Sequence, residues 1–280
     1  MSFNFKISLK TLKTILVSIY LFCSFKSIGR DSTLVNTIIL KGLDKTSIDA
    51  FNNIYISDSA GQIYKFDPKG QLITQNQTFK TRALNLLEAN NTVRIYCFYK
   101  DLQCFSFTDR QLSFFDLIYL DNEKFNFISL ATVSSDNSLW LFDEAQMILY
   151  KYDPITQTVF QKNYLNQTLT NFEDFQFSYM HEYANNLYMI DNQKGIFIFD
   201  NMGNFKNFIK IPDCNYISFF KNLIYIFTNT QWGYCDLNLF YKYNDLNVIW
   251  NKGNITSKFI KTDRYLYILK PSQIQIFEFK

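Results

Sequence analysis

Short apolar runs alternate with polar turns along this chain, and six of the runs share one pattern. An aliphatic residue, an aromatic and a further apolar residue are followed 11–13 positions later by an acid. The aromatics are Tyr55, Tyr96, Trp140, Tyr188, Tyr225 and Tyr267, spaced 41, 44, 48, 37 and 42 residues apart. Their acids are Asp67, Asp109, Asp153, Asp200, Asp236 and Glu278. The clearest unit reads as four short strands, 47–51, 54–57, 63–66 and 72–74, parted by turns at 52–53, 58–61 and 67–70. Pro68 presets its φ in the last turn and Gly70 accepts the positive φ that a tight reversal needs.

A period near 40 residues filled with four short strands predicts an all-β, six-bladed β-propeller with four-stranded antiparallel blades. The sixth repeat holds three strands, and one spare strand-like run, 33–40, precedes the first. Adding that N-terminal strand to the last blade completes the ring and leaves no open repeat. Two other folds fit less well. An outer-membrane barrel repeats as a hairpin with longer strands, at about half this period, and a β-sandwich carries no sixfold motif. The polar segment 163–174, which lengthens one repeat, is placed as a loop between blades.

Residues 1–29 read as an export signal, leaving 30–280 as one propeller domain. Lys6, Lys10 and Lys13 form a basic start, residues 14–22 an apolar core, and Ser27 and Gly29 fit a cleavage site. Lipidation at Cys23 and a retained anchor are the alternatives. The charge picture changes with this segment, which holds four lysines and no acid. Removing it from 28 basic and 25 acidic residues leaves 24 against 25. A near-neutral body offers no basic footprint for nucleic acid. The expected location is therefore periplasmic or against the cell envelope, as a monomeric disc, with peripheral membrane association left open.

Little in the chain points to chemistry. The six acids are expected to cap turns by accepting backbone N–H groups, not to form a ring of functional carboxylates. The aromatics, 19% of the chain, are expected mainly in the core. Cys97 and Cys104 would face one another across a hairpin if Lys100 and Asp101 form its two-residue loop. All four cysteines beyond the signal are nevertheless read as small buried hydrophobes. His181, the single histidine, falls on the predicted innermost strand of blade four, where it could reach the channel wall. Trp232, beside Gly233 in the least regular repeat, is the candidate for an aromatic exposed on a face. These two residues are the candidate binding surface. No catalytic, metal or cofactor residue is assigned, although a calcium site built from Asp and Asn stays open.

The run Asn-Asn-aliphatic-Tyr-aliphatic, followed by aliphatic-aromatic-x-aromatic-Asp-x-x-Gly, resembles the blade of NHL-type propellers. Residues 135–153 and 185–203 also resemble uncharacterised exported propellers of Bacteroidota. That resemblance implies a fold and a compartment, and no reaction. The expected function is a non-enzymatic scaffold that binds an envelope protein through one face of the disc. A propeller enzyme with a channel metal (hydrolase, lyase or oxidoreductase) and a glycan-binding module are the alternatives.

Overall fold

The computed structural model describes residues 32–76, 82–89, 94–113, 117–172, 174–238, 249–252 and 257–279. The segment read as an export signal lies outside them. Among the described residues, twenty-four strands form six separate four-stranded antiparallel sheets. Blade 1 is β2 (Leu43–Ile48), β3 (Ile54–Asp58), β4 (Ile63–Phe66) and β5 (Leu72–Gln75). Blade 2 is β6 (Leu86–Glu88), β7 (Ile95–Tyr99), β8 (Cys104–Thr108) and β9 (Ile118–Tyr119). Blade 3 is β10 (Ile128–Val133), β11 (Leu139–Asp143), β12 (Ile148–Asp153) and β13 (Thr158–Tyr164). Blade 4 is β14 (Phe177–Tyr183), β15 (Asn186–Asp191), β16 (Gly195–Asp200) and β17 (Phe205–Lys210). Blade 5 is β18 (Cys214–Phe220), β19 (Leu223–Thr228), β20 (Gln231–Asp236) and β21 (Ile249–Lys252). Blade 6 is β22 (Lys258–Lys261), β23 (Tyr265–Lys270), β24 (Gln273–Phe279) and, from the other end of the sequence, β1 (Ser32–Ile39). The expected closure is present: β1 pairs antiparallel with β24 from Ser32–Phe279 to Ile39–Gln273.

The second strand of a blade is covered on both sides by neighbouring blades, so its residues are buried without alternation. Every residue of β7, β11 and β15 is buried. The six signature aromatics are at most 2% exposed. Outermost strands have a single covered side, and β13 alternates between exposed and half-buried along its whole length. Two of the aromatics are capped by a buried lysine on the adjacent strand. Lys65 lies over Tyr55 (5.5 Å) and Lys151 over Trp140 (4.9 Å). Each ammonium also donates to a carbonyl of the next blade, Arg110 O and Asn201 O. The cation thus finds acceptors where water is scarce.

The turn chemistry follows the sequence closely. Asn52, Asn137 and Asn185 adopt positive φ in the first turn of their blades, a conformation that asparagine tolerates better than most residues. Asp67 Oδ1 accepts the N–H groups of Lys69 and Gln71, and Asp200 Oδ1 those of Met202 and Asn204. Asp109, Asp153 and Asp236 cap their turns in the same way. Glu278 departs from the expectation: it stands within β24 and pairs with Arg264 at 2.6 Å.

Three expectations need correction. A single 3-10 turn, Lys100–Leu102, with Gln103 in the left-handed region, joins β7 to β8. Cys97 therefore faces Ser106, and Cys104 faces Tyr99. All four described cysteines are free and buried. Segment 163–174 links blades 3 and 4 as expected, but it is not merely polar: a short helix, Leu165–Thr168, and the residue after it set Leu165 and Leu169 beside Trp140, Phe142 and Phe177. In blade 5, β20 is a regular strand paired on both sides.

Candidate functional site

The first strands of successive sheets contact one another, from β2 through β6, β10, β14 and β18 to β22, and form the innermost ring. Their registers place equivalent residues at the same depth. Opposite the signature aromatics stand Ser47, Glu88, Thr132, His181, Ser218 and Ile260. One level nearer the strand starts stand Lys45, Leu86, Leu130, Tyr179, Tyr216 and Lys258. In blades 1, 3, 4 and 5 a β-bulge separates this upper level from the first residue of the strand. A bulge re-aims the side chains that follow it.

The lower level carries a hydrogen-bonded crosspiece. His181 Nδ1 lies 2.9 Å from Glu88 Oε1, joining blade 4 to blade 2 past the blade between them. The same carboxylate accepts the Thr132 hydroxyl (2.7 Å) and the Val133 N–H (2.8 Å) of the intervening blade. Glu88 is 6% exposed, so these three donors stand in for the water it lost. Ser47 does the same one blade earlier, accepting Ala89 N–H at 2.9 Å. In both cases the ring side chain of one blade holds the amide that follows the ring residue of the next. The His181 ring also stacks on Phe219, with centroids 5.9 Å apart.

The upper level is built differently. Tyr179 and Tyr216 pack edge to face at 5.8 Å, and Tyr179 approaches the His181 ring at 6.3 Å. Lys258 Nζ sits 4.8 Å from the Tyr216 ring centroid. Burial lowers the pKa of Lys258, and the positive charge of Lys45 lowers it further. Lys45 has a carboxylate beside it, Asp44 at 2.8 Å. Burial pushes both phenols well above the usual tyrosine range, so they act as O–H donors at neutral pH. Leu86 and Leu130 complete this level with apolar side chains. Among the described residues, no three His, Cys, Asp or Glu side chains converge as a metal cage.

His181 is thus where the sequence placed it, on the innermost strand. Trp232 is elsewhere and is not a surface residue. It is 2% exposed, edge-on to Phe259 at 5.0 Å and packed against Tyr225 and Phe227. Lys45, Glu88, Thr132, Tyr179, Tyr216 and Lys258 were missed. A signal for them existed: the lower-level residues precede the signature aromatic by seven or eight positions, and the upper-level residues by nine or ten.

No family model and no curated protein sequence matches this chain. Solved structures do match in shape. Catalytically inactive virginiamycin B lyase from Staphylococcus aureus with quinupristin superposes with a TM-score of 0.54 at 12% identity, over 84% of this chain and 80% of that one. The Pan2 WD40 domain of Neurospora crassa gives 0.59 at 9% identity, over 89% and 95%. The β-propeller domain of Cps50 (Swd1) from Myceliophteria thermophila gives 0.57 at 9%, over 89% and 99%. Identities this low establish the propeller fold and nothing more specific.

Proposed function

We propose that this chain is an exported, non-enzymatic propeller of NHL-like type that binds another protein of the cell envelope. The supporting observation is the distribution of exposed apolar side chains. Eight of the thirteen large ones among the described residues lie on the outermost strands of four consecutive blades. They are Leu34, Val35 and Ile39 on β1, Leu72 and Ile73 on β5, Tyr119 on β9, and Phe160 and Tyr164 on β13. The outer strand of blade 4 exposes Lys206 and Lys210 instead. An apolar sector of this kind suits a macromolecular partner, and it moves the expected contact from a face of the disc to its rim. Export rests on the sequence of residues 1–29. Cleavage after Gly29 would leave the closing strand, which starts at Ser32, intact.

The test is capture from envelope extract with the wild-type chain, the double variant Leu72→Lys/Ile73→Lys, and Lys206→Ala as a control outside the sector. A defined partner retained by wild type and control but lost by the double variant is expected. Capture that the double variant leaves unchanged, or none at all, overturns the proposal. Mass spectrometry of the exported chain should find Arg30 at its N-terminus.

A further inference from the structure

Outside the apolar rim, the upper level of the channel holds an ammonium, that of Lys258, with no hydrogen bond or ion pair among the described residues. We propose that it is a binding cup for a small organic anion, with one carboxylate or phosphate group on an apolar body. The floor on the side of blades 2–4 is the Glu88–Thr132–His181 crosspiece, whose polar atoms already hold one another. Above it, one side of the ring offers Lys45 and Lys258 with the two half-buried tyrosines beside them, and the other side offers Leu86 and Leu130.

Charge balance makes the case. Lys258 forms no hydrogen bond or ion pair among the described residues, and it rests on the face of Tyr216. Two ammonium groups at equivalent register positions of the first and last blades share this depth, the charge of Lys45 adding to burial in lowering the Lys258 pKa, while one carboxylate, Asp44, serves Lys45. A cation held partly out of water beside a like charge gains from an anion lodged between the two. The Tyr179 and Tyr216 hydroxyls, with no partner among the described residues, add donors for the same group. The leucine wall would cover an apolar body. A bare inorganic anion would use half of this ring and an organic one all of it.

The experiment uses the full mature chain with three probes: phenylacetate, phenyl phosphate and neutral phenylacetamide. Isothermal titration should show saturable binding of at least one anionic probe with a Kd of about 1 mM or tighter, and none of phenylacetamide. Lys258→Met should weaken that binding by about tenfold or more, while Lys258→Arg retains most of it. Lys45→Met serves as a second variant should Lys258→Met fail to fold, with the same loss expected. Which anionic probe binds better tells carboxylate from phosphate. The proposal is overturned if neither anion binds, if phenylacetamide binds as well as phenylacetate, or if the Met variants bind unchanged. A rim site would respond to Leu72→Lys/Ile73→Lys and not to Lys258→Met, so each proposal can fail without the other.

Discussion

Glu182 acts as a bolt between blades 3 and 4, and replacing it by glutamine tests how these blades are held. The residue is 8% exposed. Its Oε1 accepts the Ser135 N–H at 2.8 Å and its Oε2 the Trp140 indole N–H at 2.6 Å. Both donors belong to blade 3, while Glu182 belongs to blade 4. Glutamine keeps the shape but offers one acceptor, so its NH2 must confront one of the two N–H groups. Loss of a charge-assisted bond costs about 1.5–3 kcal/mol, and a stranded buried donor about 1–3 kcal/mol more. These overlap, and Glu182→Gln should cost about 2–4 kcal/mol at pH 7. Urea unfolding followed by tryptophan fluorescence, with an unchanged slope, would measure it. In the double variant with Trp140→Phe the opposed donor is gone, so the two costs should fall short of additivity by about 1 kcal/mol.

Acid gives a second view of the same bolt. Burial raises the Glu182 pKa, but hydrogen bonds from the Ser134–Ser135 corner and from Trp140 outweigh it and hold the carboxyl below the usual glutamate range. A depressed native pKa stabilises the fold above the unfolded value, about 4.3, and that contribution disappears as pH falls through the native value. The gap between wild type and Glu182→Gln should therefore be full at pH 7 and narrow below about pH 4.3. A difference under about 0.5 kcal/mol at pH 7, or one that does not shrink in acid, would refute the reasoning.

Other outcomes follow from the same structure. Ile38 and Ile39 are neighbours on the closing strand, 6% and 77% exposed. Ile38→Ala should cost about 2–4 kcal/mol in urea unfolding and Ile39→Ala under about 0.5; equal costs would mean that β1 is not seated against Ile274 and Ile276. Gly195 has φ +139°, and a Cβ there would lie 2.1 Å from the Ile209 carbonyl oxygen. Gly195→Ala should lose more than about 3 kcal/mol or fail to fold, and a near-neutral melt would contradict that geometry. Burial pushes Cys97 and Cys214 up to about 12 and Cys104 and Cys235 up to about 11. A thiol reagent at pH 8 should find none of these four in the folded chain and all four in guanidinium.

Much of this molecule was legible because a propeller blade is local. Each turn signal acts within four residues: the Asp200 carboxylate holds the amides of Met202 and Asn204. Each signature aromatic is buried because the second strand of a blade always has a neighbour on both sides. Repetition of those local rules six times fixed the number of blades and the use of the run 33–40 as the closing strand, observed at Ser32–Ile39. Trp232 misled for a related reason. Adjacent glycine suggested irregularity, yet Gly233 lies in a paired strand and the indole fills space against Phe259 in blade 6, a contact 27 residues away in sequence.

The sequence by itself determined the repeat, the turns, the buried aromatics and the ends that meet. Tertiary structure alone decided what stands in the channel. Glu88 and His181 are 93 residues apart and carry no shared motif; the curvature of the ring brings blades 2 and 4 within hydrogen-bonding distance past blade 3. Likewise Lys45 and Lys258 come to one depth because the last blade repeats the register of the first. Local rules specify each strand, but which side chains share a depth depends on the register of six sheets around one axis, and that is a property of the closed ring.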